Sequence, residues 1–316
     1  MTRILSLGLL MAAATLAVVA LAPLRPSAIA AGPAVPQIRI QVNLVNLFVT
    51  ARDKKTKKIM TGLQETDFKV SEDNTPQQIS SFSTESNLPI TLGLLIDTSG
   101  SEEQTLGAEQ EAAIRFLNRV LRKGDLTMVI SFDSDADLLA GFTEDKIALE
   151  RAIQRARIAG ASMQGATGGT PPGTVFYDAV YLACTDRLAQ EAGRKALVIL
   201  TDAQDEGSRL RLEDAVEAAQ RTDTVVHILL ISALGGNEGV ARKLTDDTGG
   251  RTIVVRSEKN LEQAFDQISE ELRSQYALSY TSTNNAHDGT FRKIKVESTR
   301  KDVDVLTRRG YYAPKN

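Results

Sequence analysis

Apolar and polar positions change rhythm twice along the chain. Residues 37–50 alternate apolar and polar positions, with Ile38, Ile40 and Val42 and then Val45, Leu47 and Val49, which is the period of a half-buried strand. Shorter strand-like pieces follow at Phe68–Ser71 and Gln78–Phe82, set apart by Gly62 and by the turn-rich Glu72-Asp73-Asn74-Thr75-Pro76. Nothing in residues 32–85 has helical spacing. From Pro89 the alternation gives way to continuous apolar runs at Ile90–Ile96, Leu126–Phe132, Ala196–Leu200, Val225–Ile231 and Thr252–Val255. Between them lie stretches of helical periodicity, at about Glu103–Leu121, Thr143–Ile158, Val175–Leu188, Arg211–Arg221, Asn237–Thr248 and Asn260–Ser274, while Asp137–Phe142 reads as a short edge strand. Strands apolar on both faces and separated by helices predict a doubly wound α/β domain with a mostly parallel sheet.

Beyond the last helix the alternation returns: Tyr276, Leu278, Tyr280, then Phe291, Ile294, Val296, then Val303, Val305, Leu306. Roughly three strands are too few to stand alone. They are expected to pair with residues 37–85, so that the N- and C-terminal segments form a small β-sandwich-like unit into which the α/β domain is inserted. The expected divisions are 1–30, 31–87, 88–274 and 275–316.

Residues 1–30 stand apart: Arg3, an apolar stretch from Ile4 to Leu21, then Pro23, Pro26 and the small-residue end Ala28-Ile29-Ala30. That order reads as a secretory signal peptide cut near Ala30 or Ala31. The competing reading is a retained anchor, since the apolar stretch approaches the roughly 18–20 residues that span a bilayer. No second long apolar run appears, so no membrane span is expected after cleavage, and the destination is the periplasm or the exterior. The chain has 37 basic and 40 acidic residues, a net charge of −3. Removing the leader, with its two arginines and no acid, gives 35 − 40 = −5. A mildly acidic protein is a poor binder of nucleic acid. The lone Cys184 has no internal partner and sits in an apolar helical pattern, the place of a small core residue.

Chemistry enters where the parallel strands end, because an open α/β sheet binds ligands outside the carboxyl ends of its strands. The run Leu94-Leu95-Ile96-Asp97-Thr98-Ser99-Gly100-Ser101 closes an apolar strand with an acid and two serines at alternate positions, and Gly100 relaxes the backbone between them. Gly173-Thr174-Val175-Phe176-Tyr177-Asp178-Ala179 brings a Gly-rich loop into a helix with the Thr174 hydroxyl at its start. Leu197-Val198-Ile199-Leu200-Thr201-Asp202 is another buried strand that closes on an acid. Two carboxylates and three hydroxyls, with no Cys or His, suit a hard divalent cation; Mg²⁺ is the first choice, with Mn²⁺ or Ca²⁺ as alternatives.

The Asp97-Thr98-Ser99-Gly100-Ser101 run, Thr174 four residues before Asp178, and Asp202 after an apolar strand resemble the metal-ion-dependent adhesion site of von Willebrand factor A domains. The resemblance covers about residues 88–272 and implies that Asp97, Ser99, Ser101, Thr174 and Asp202 surround an ion, directly or through water. Val70-Ser71-Glu72-Asp73 and Ile79-Ser80-Ser81-Phe82 before the domain, with Gln275-Tyr276-Ala277-Leu278-Ser279-Tyr280 and Arg309-Gly310-Tyr311-Tyr312 after it, are similar to exported von Willebrand-related proteins of environmental bacteria. Two departures are Ala203, where relatives often carry Gly, and the Pro171-Pro172 insertion beside the Thr174 loop.

Other features have plainer readings. Acids and serines also end strands and cap helices, so the Asp97 loop has weight only together with Thr174 and Asp202. His227, inside an apolar strand, is expected as a hydrogen-bonded core residue, and His287 as a solvated turn residue. Gly168-Gly169-Thr170 lacks the Lys and spacing of a P-loop. Asp133, Asp135 and Asp137 lack the Gly and terminal Glu of an EF-hand loop. Lys54, Lys55, Lys57 and Lys58 mark a hairpin turn, and Tyr311 and Tyr312 are expected to pack on the β unit. The function expected is therefore non-enzymatic: an exported adhesion or scaffold module whose ion takes a carboxylate of a protein partner, with Asp205, Glu206 and the loop Gly160–Gly173 at the rim. The competing classes are a metal-assisted hydrolase, for which Asp205 is the nearest acid able to serve as base, and a scaffold whose ion is purely structural.

Overall fold

The computed structural model describes residues 44–84, 88–158, 173–231 and 235–315. The leader read at 1–30, the first residues of the opening strand and the loop 160–172 lie outside the described residues. The chain begins with strands β1 (Leu44–Asp53), β2 (Phe68–Glu72), β3 (Thr75–Gln77) and β4 (Ile79–Ser83). It continues through β5 (Ile90–Asp97), α1 (Leu106–Val120), β6 (Leu126–Phe132), β7 (Ala136–Thr143), α2 (Lys146–Ile153), α3 (Phe176–Leu182) and β8 (Arg194–Thr201). Then come α4 (Leu212–Arg221), β9 (Thr224–Ile231), α5 (Glu238–Thr248), β10 (Thr252–Val255) and α6 (Glu258–Arg273). The chain closes with β11 (Tyr276–Thr281), β12 (Phe291–Ser298), β13 (Val303–Leu306) and β14 (Gly310–Tyr312).

The middle of the chain builds a six-stranded sheet in the order β10-β9-β8-β5-β6-β7, parallel except for the edge pair β6–β7. Two apolar layers cover it. On one side Phe116 of α1 stacks on Phe265 of α6 at 4.7 Å, over Leu92, Leu94, Val198 and Leu200. On the other, α3, α4 and α5 bring Phe176, Ala179, Ala215, Ala219 and Leu244 onto Leu95, Leu197, Ile199 and Ile228. This is the doubly wound arrangement that continuous apolar strands require.

Strands from the two ends of the chain form two further antiparallel sheets, β13-β1-β11-β4 and β14-β12-β2-β3. β1 pairs with β11 in the register Leu47↔Leu278, and β2 pairs with β12 in the register Val70↔Val296. Inward-facing Val45, Leu47, Phe68, Val70, Leu278, Ile294 and Val296 of both sheets share one core. Inside it the carboxylate of Glu72, 2% exposed, accepts hydrogen bonds from Tyr280 Oη at 2.7 Å, Ser282 Oγ at 2.6 Å and Tyr311 Oη at 3.1 Å. Replacing Glu72 with Ala strands these hydroxyls, and unsatisfied buried polar groups cost roughly 1–3 kcal/mol each. Glu72→Ala should therefore lose about 3 kcal/mol in chemical denaturation, and Glu72→Gln, which keeps an accepting oxygen, about half of that. Equal losses in the two variants would reject the hydrogen-bond account.

Several elements differ from the sequence expectations. The tail has four strands rather than three, β14 being only three residues long. A single tight turn at Glu65–Asp67 interrupts the β segment expected to be free of helix; Asp67 accepts from the Gln64 backbone N–H at 2.8 Å and holds it. The first helix starts at Leu106 rather than Glu103, because Gly100–Glu102 forms a separate tight turn. α2 is shorter than expected: Thr143 completes β7, and Asp145 caps the helix by accepting from Ile147 and Ala148 N–H. α3 widens after Leu182 into a π-type turn at Ala183–Arg187 before a last tight turn at Leu188–Gln190. His227 is buried as expected, but neither ring nitrogen is hydrogen-bonded, and Nδ1 stands 3.8 Å from Glu271 Oε2. Burial, and then the Arg251 guanidinium, push its imidazole down to about 3, so it packs as a neutral ring.

Candidate metal centre

β5 and β8 are adjacent and parallel, with Ile96 level with Leu200, so the residues that follow these partners come out at the same edge of the sheet. Asp97 ends β5, and Asp202 follows the last residue of β8. The Thr201 hydroxyl donates to Asp97 Oδ2 at 2.6 Å and the Ser99 backbone N–H donates to Asp97 Oδ1 at 3.0 Å, which fixes both carboxylate oxygens. Asp202 Oδ1 accepts from the Gln204 backbone N–H and Oδ2 from the Gln204 side-chain amide, each at 3.0 Å. The hydroxyls of Ser99 and Ser101 are 3.0 Å apart, Ser99 half-buried and Ser101 exposed. Acids thus form the floor of the site, and hydroxyls form its open side.

Thr174 reaches this edge through the backbone. Its carbonyl accepts from the N–H groups of Glu206 and Gly207, at 3.1 and 3.0 Å, which ties the start of α3 to the loop after Asp202. Two glycines permit the approach: a Cβ on Gly173 would meet the Glu206 carbonyl carbon at 2.8 Å, and one on Gly207 would meet the Gly173 oxygen at 2.6 Å. Ala203 adopts φ 58, in the left-handed region where only Gly is unstrained. Its methyl group is fully buried in the core, so the departure from Gly exchanges backbone strain for packing.

The structure adds a residue that the sequence reading left out. Carboxylate oxygens of Asp97, Glu102 and Asp202 all lie within 4.8 Å of one another, and all three residues are buried. Glu102 and Glu109 stand on the inward stripe of Leu106, Ala113 and Val120, at spacings of four and seven, where the helical pattern calls for apolar side chains. Two acids breaking that stripe were the available signal. Burial pushes Asp97 up to about 6, although the hydrogen bonds from Ser99 and Thr201 act against the shift. Burial raises Glu102, with the Glu109 charge adding to it, and burial also raises Glu109. Among the described residues no lysine or arginine offsets these groups. A compact, oxygen-only, uncompensated cluster of carboxyls fits a hard divalent cation.

Asp205, the acid nominated as a base, is anchored through one of its oxygens. Its Oδ1 accepts from the Tyr177 backbone N–H at 3.1 Å and the Ser208 hydroxyl at 2.5 Å, pinning the first turn of α3. Cys184 is fully buried, and burial pushes its thiol up to about 12, as befits a core residue. No helix among the described residues is long and apolar enough to cross a membrane.

Residues 92–204 match the family model for the von Willebrand factor type A domain. The chain is 27% identical over 179 residues to calcium-activated chloride channel regulator 1 of Bos taurus, a match covering 56% of the chain and only 18% of that protein. Among solved structures, proximal thread matrix protein 1 of the mussel byssus superposes with a TM-score of 0.52 at 13% identity, over 64% of this chain and 51% of that one. The mussel protein has also been solved with a zinc-occupied MIDAS motif. A von Willebrand factor type A protein of Catenulispora acidiphila gives a TM-score of 0.50 at 11% identity, covering 88% of this chain and 75% of that one. At these identities the structural likeness speaks for the fold. The family match, which takes in the loops at Asp97 and Asp202, identifies residues 92–204 as a von Willebrand factor type A domain, and the structural likeness agrees with that fold.

Proposed function

We propose that the chain is an exported, non-enzymatic binding module in which Asp97, Ser99, Ser101, Thr174 and Asp202 hold a divalent cation, Mg²⁺, Mn²⁺ or Ca²⁺, that engages a carboxylate on a partner protein. The observation that carries this reading is the meeting of buried Asp97 and Asp202 beneath the Ser99–Ser101 hydroxyl pair at one sheet edge. When bound, the cation supplies a positive charge able to accept an acidic group. The chain's own residues do the rest: Thr201 and Ser99 orient Asp97, Gln204 orients Asp202, and the Gly173–Gly207 approach ties the Thr174 segment to the loop after Asp202. The zinc-occupied motif of the mussel protein supports a metal at the equivalent fold position. Export is supported by Arg3, the apolar run Ile4–Leu21 and the Ala28-Ile29-Ala30 end.

Hydrolysis is the weaker reading. It needs a free base or nucleophile beside the metal ligands, and Asp205 is already committed to Tyr177 and Ser208. The distinguishing experiment presents the protein to surfaces bearing peptides with acidic side chains and to matched amide peptides. Retention on the acidic surface should require a divalent cation, vanish with chelator and vanish in Asp202→Ala. Retention that persists in chelator would reject the cation-mediated reading.

A further inference from the structure

Beneath the Asp97 loop lie more carboxyl groups than the strand ends supply. Glu102 directly follows Ser101 in the tight turn Gly100–Glu102 and is 2% exposed, with Oε2 accepting from the Thr105 hydroxyl at 2.9 Å. Its carboxylate shares the 4.8 Å cluster with Asp97 and Asp202. Oxygens bound to one divalent ion at about 2.0–2.6 Å are no more than about 5 Å apart. The three carboxylates therefore already stand at the separation that a single ion imposes.

Glu109 adds a further sign. It is 1% exposed, its carboxyl faces Glu102 and Thr105 with no ion-pair partner among the described residues, and the Asp97 charge acts on it. An unpaired carboxyl out of water is costly unless a charge answers it. The surrounding stripe of Leu106, Ala113 and Val120 shows that an apolar residue would suit the position. No basic side chain among the described residues provides the answering charge.

We propose that Glu102 is a third carboxylate ligand of the ion, beyond the five side chains of the adhesion-type set, and that the site is built for a carboxylate-rich cation, Mn²⁺ or Ca²⁺, in preference to Mg²⁺. The inference rests on the reading that the Asp97 loop holds a cation. Ca²⁺ takes six to eight oxygens in flexible geometry, whereas Mg²⁺ keeps several waters and is usually held by one or two carboxylates. Three carboxylates more than match the charge of a divalent ion from within the chain. A partner's acidic group then reaches the ion from the open side at Ser99 and Ser101 and competes with Glu102 for its charge, which makes Glu102 the internal competitor that sets how readily the site is captured.

The test uses the full chain, titrated with Mn²⁺, Ca²⁺ and Mg²⁺ by calorimetry, with the electron paramagnetic resonance of bound Mn²⁺ as a direct view of its ligands. Wild type should bind Mn²⁺ and Ca²⁺ more tightly than Mg²⁺. Glu102→Gln should weaken Mn²⁺ binding about ten- to hundredfold, narrow the preference over Mg²⁺ and change the Mn²⁺ spectrum. Thermal unfolding guards against a folding artefact: in chelator Glu102→Gln and Glu102→Met should be at least as stable as wild type, and with Mn²⁺ the order should reverse. If Glu102→Gln binds Mn²⁺ as wild type does while Asp97→Asn does not bind, Glu102 is no ligand and the cation reading stands. If wild type binds none of the three cations, both readings fall.

Discussion

Asp97→Asn should abolish the response of this protein to divalent cations while leaving the metal-free fold in place. The substitution keeps the shape of the side chain, and the amide can still accept from the Ser99 N–H and meet the Thr201 hydroxyl. What it removes is the charge at the centre of the cluster formed with Glu102 and Asp202. A cation that binds only the folded state stabilises it by about 2.7 kcal/mol at roughly a hundred times its dissociation constant. In a domain of this size that corresponds to a rise in melting temperature of about 5–10 °C. Wild type should show this rise and the Asn variant none, with the two melting together in chelator. Equal rises in both proteins would place the cation elsewhere on the chain.

The second large effect concerns the backbone. Gly250 lies between the end of α5 and β10, pressed onto β9 of the central sheet, and a Cβ there would sit 1.9 Å from the Val226 oxygen and 2.6 Å from its carbonyl carbon. Nothing at that contact is a movable side-chain end, so Gly250→Ala must separate β9 from the chain returning from α5. Losses above about 4 kcal/mol are exceptional for single substitutions, and this one should exceed that figure and leave little soluble folded protein. Gly93→Ala provides the contrast. Its Cβ would meet Leu197 Cδ2 at 2.4 Å and Met128 Cε at 2.8 Å, both tips of flexible side chains, so the cost should stay near the roughly 1–3 kcal/mol of ordinary overpacking. Expression yield and urea midpoints of the two variants separate these outcomes. Similar behaviour of the pair would show that β9 can yield at Val226.

The central sheet was legible in the sequence because a strand buried on both faces has to be apolar throughout. Ile90–Ile96 and Ala196–Leu200 carry that signature without interruption. The acids that close these strands were legible for the same reason, since a carboxylate ending such a run stands out. What escaped depended on information that is not periodic. Helix α1 could not be started correctly, because the turn Gly100–Glu102 and the helix after it share one stripe of inward positions. Glu102 received no assignment, because it falls between the Asp97 loop and the helix expected from Glu103, buried in a tight turn that the helical reading did not reach. The missing hydrogen bonds of His227 reflect packing against α6, where Glu271 is committed to Arg251. No local pattern encodes such a partnership.

The sandwich strands carry a consequence for the order of events during folding. Asn46 on β1 meets Ser279 on β11 across 233 positions of sequence, so β1 and β2 emerge from the ribosome long before the strands that complete their sheets. Contacts this distant are slow to form because a long loop must close first. The α/β domain, assembled from neighbouring strands and helices, can condense in the interval, and its β5 and α6 ends then bring the waiting β4 and the newly made β11 together. Until that moment the early strands present unpaired edges, which favour association with other chains. A protein with this layout should therefore misassemble through its first and last segments, and mutations that slow the α/β domain should be felt there as aggregation.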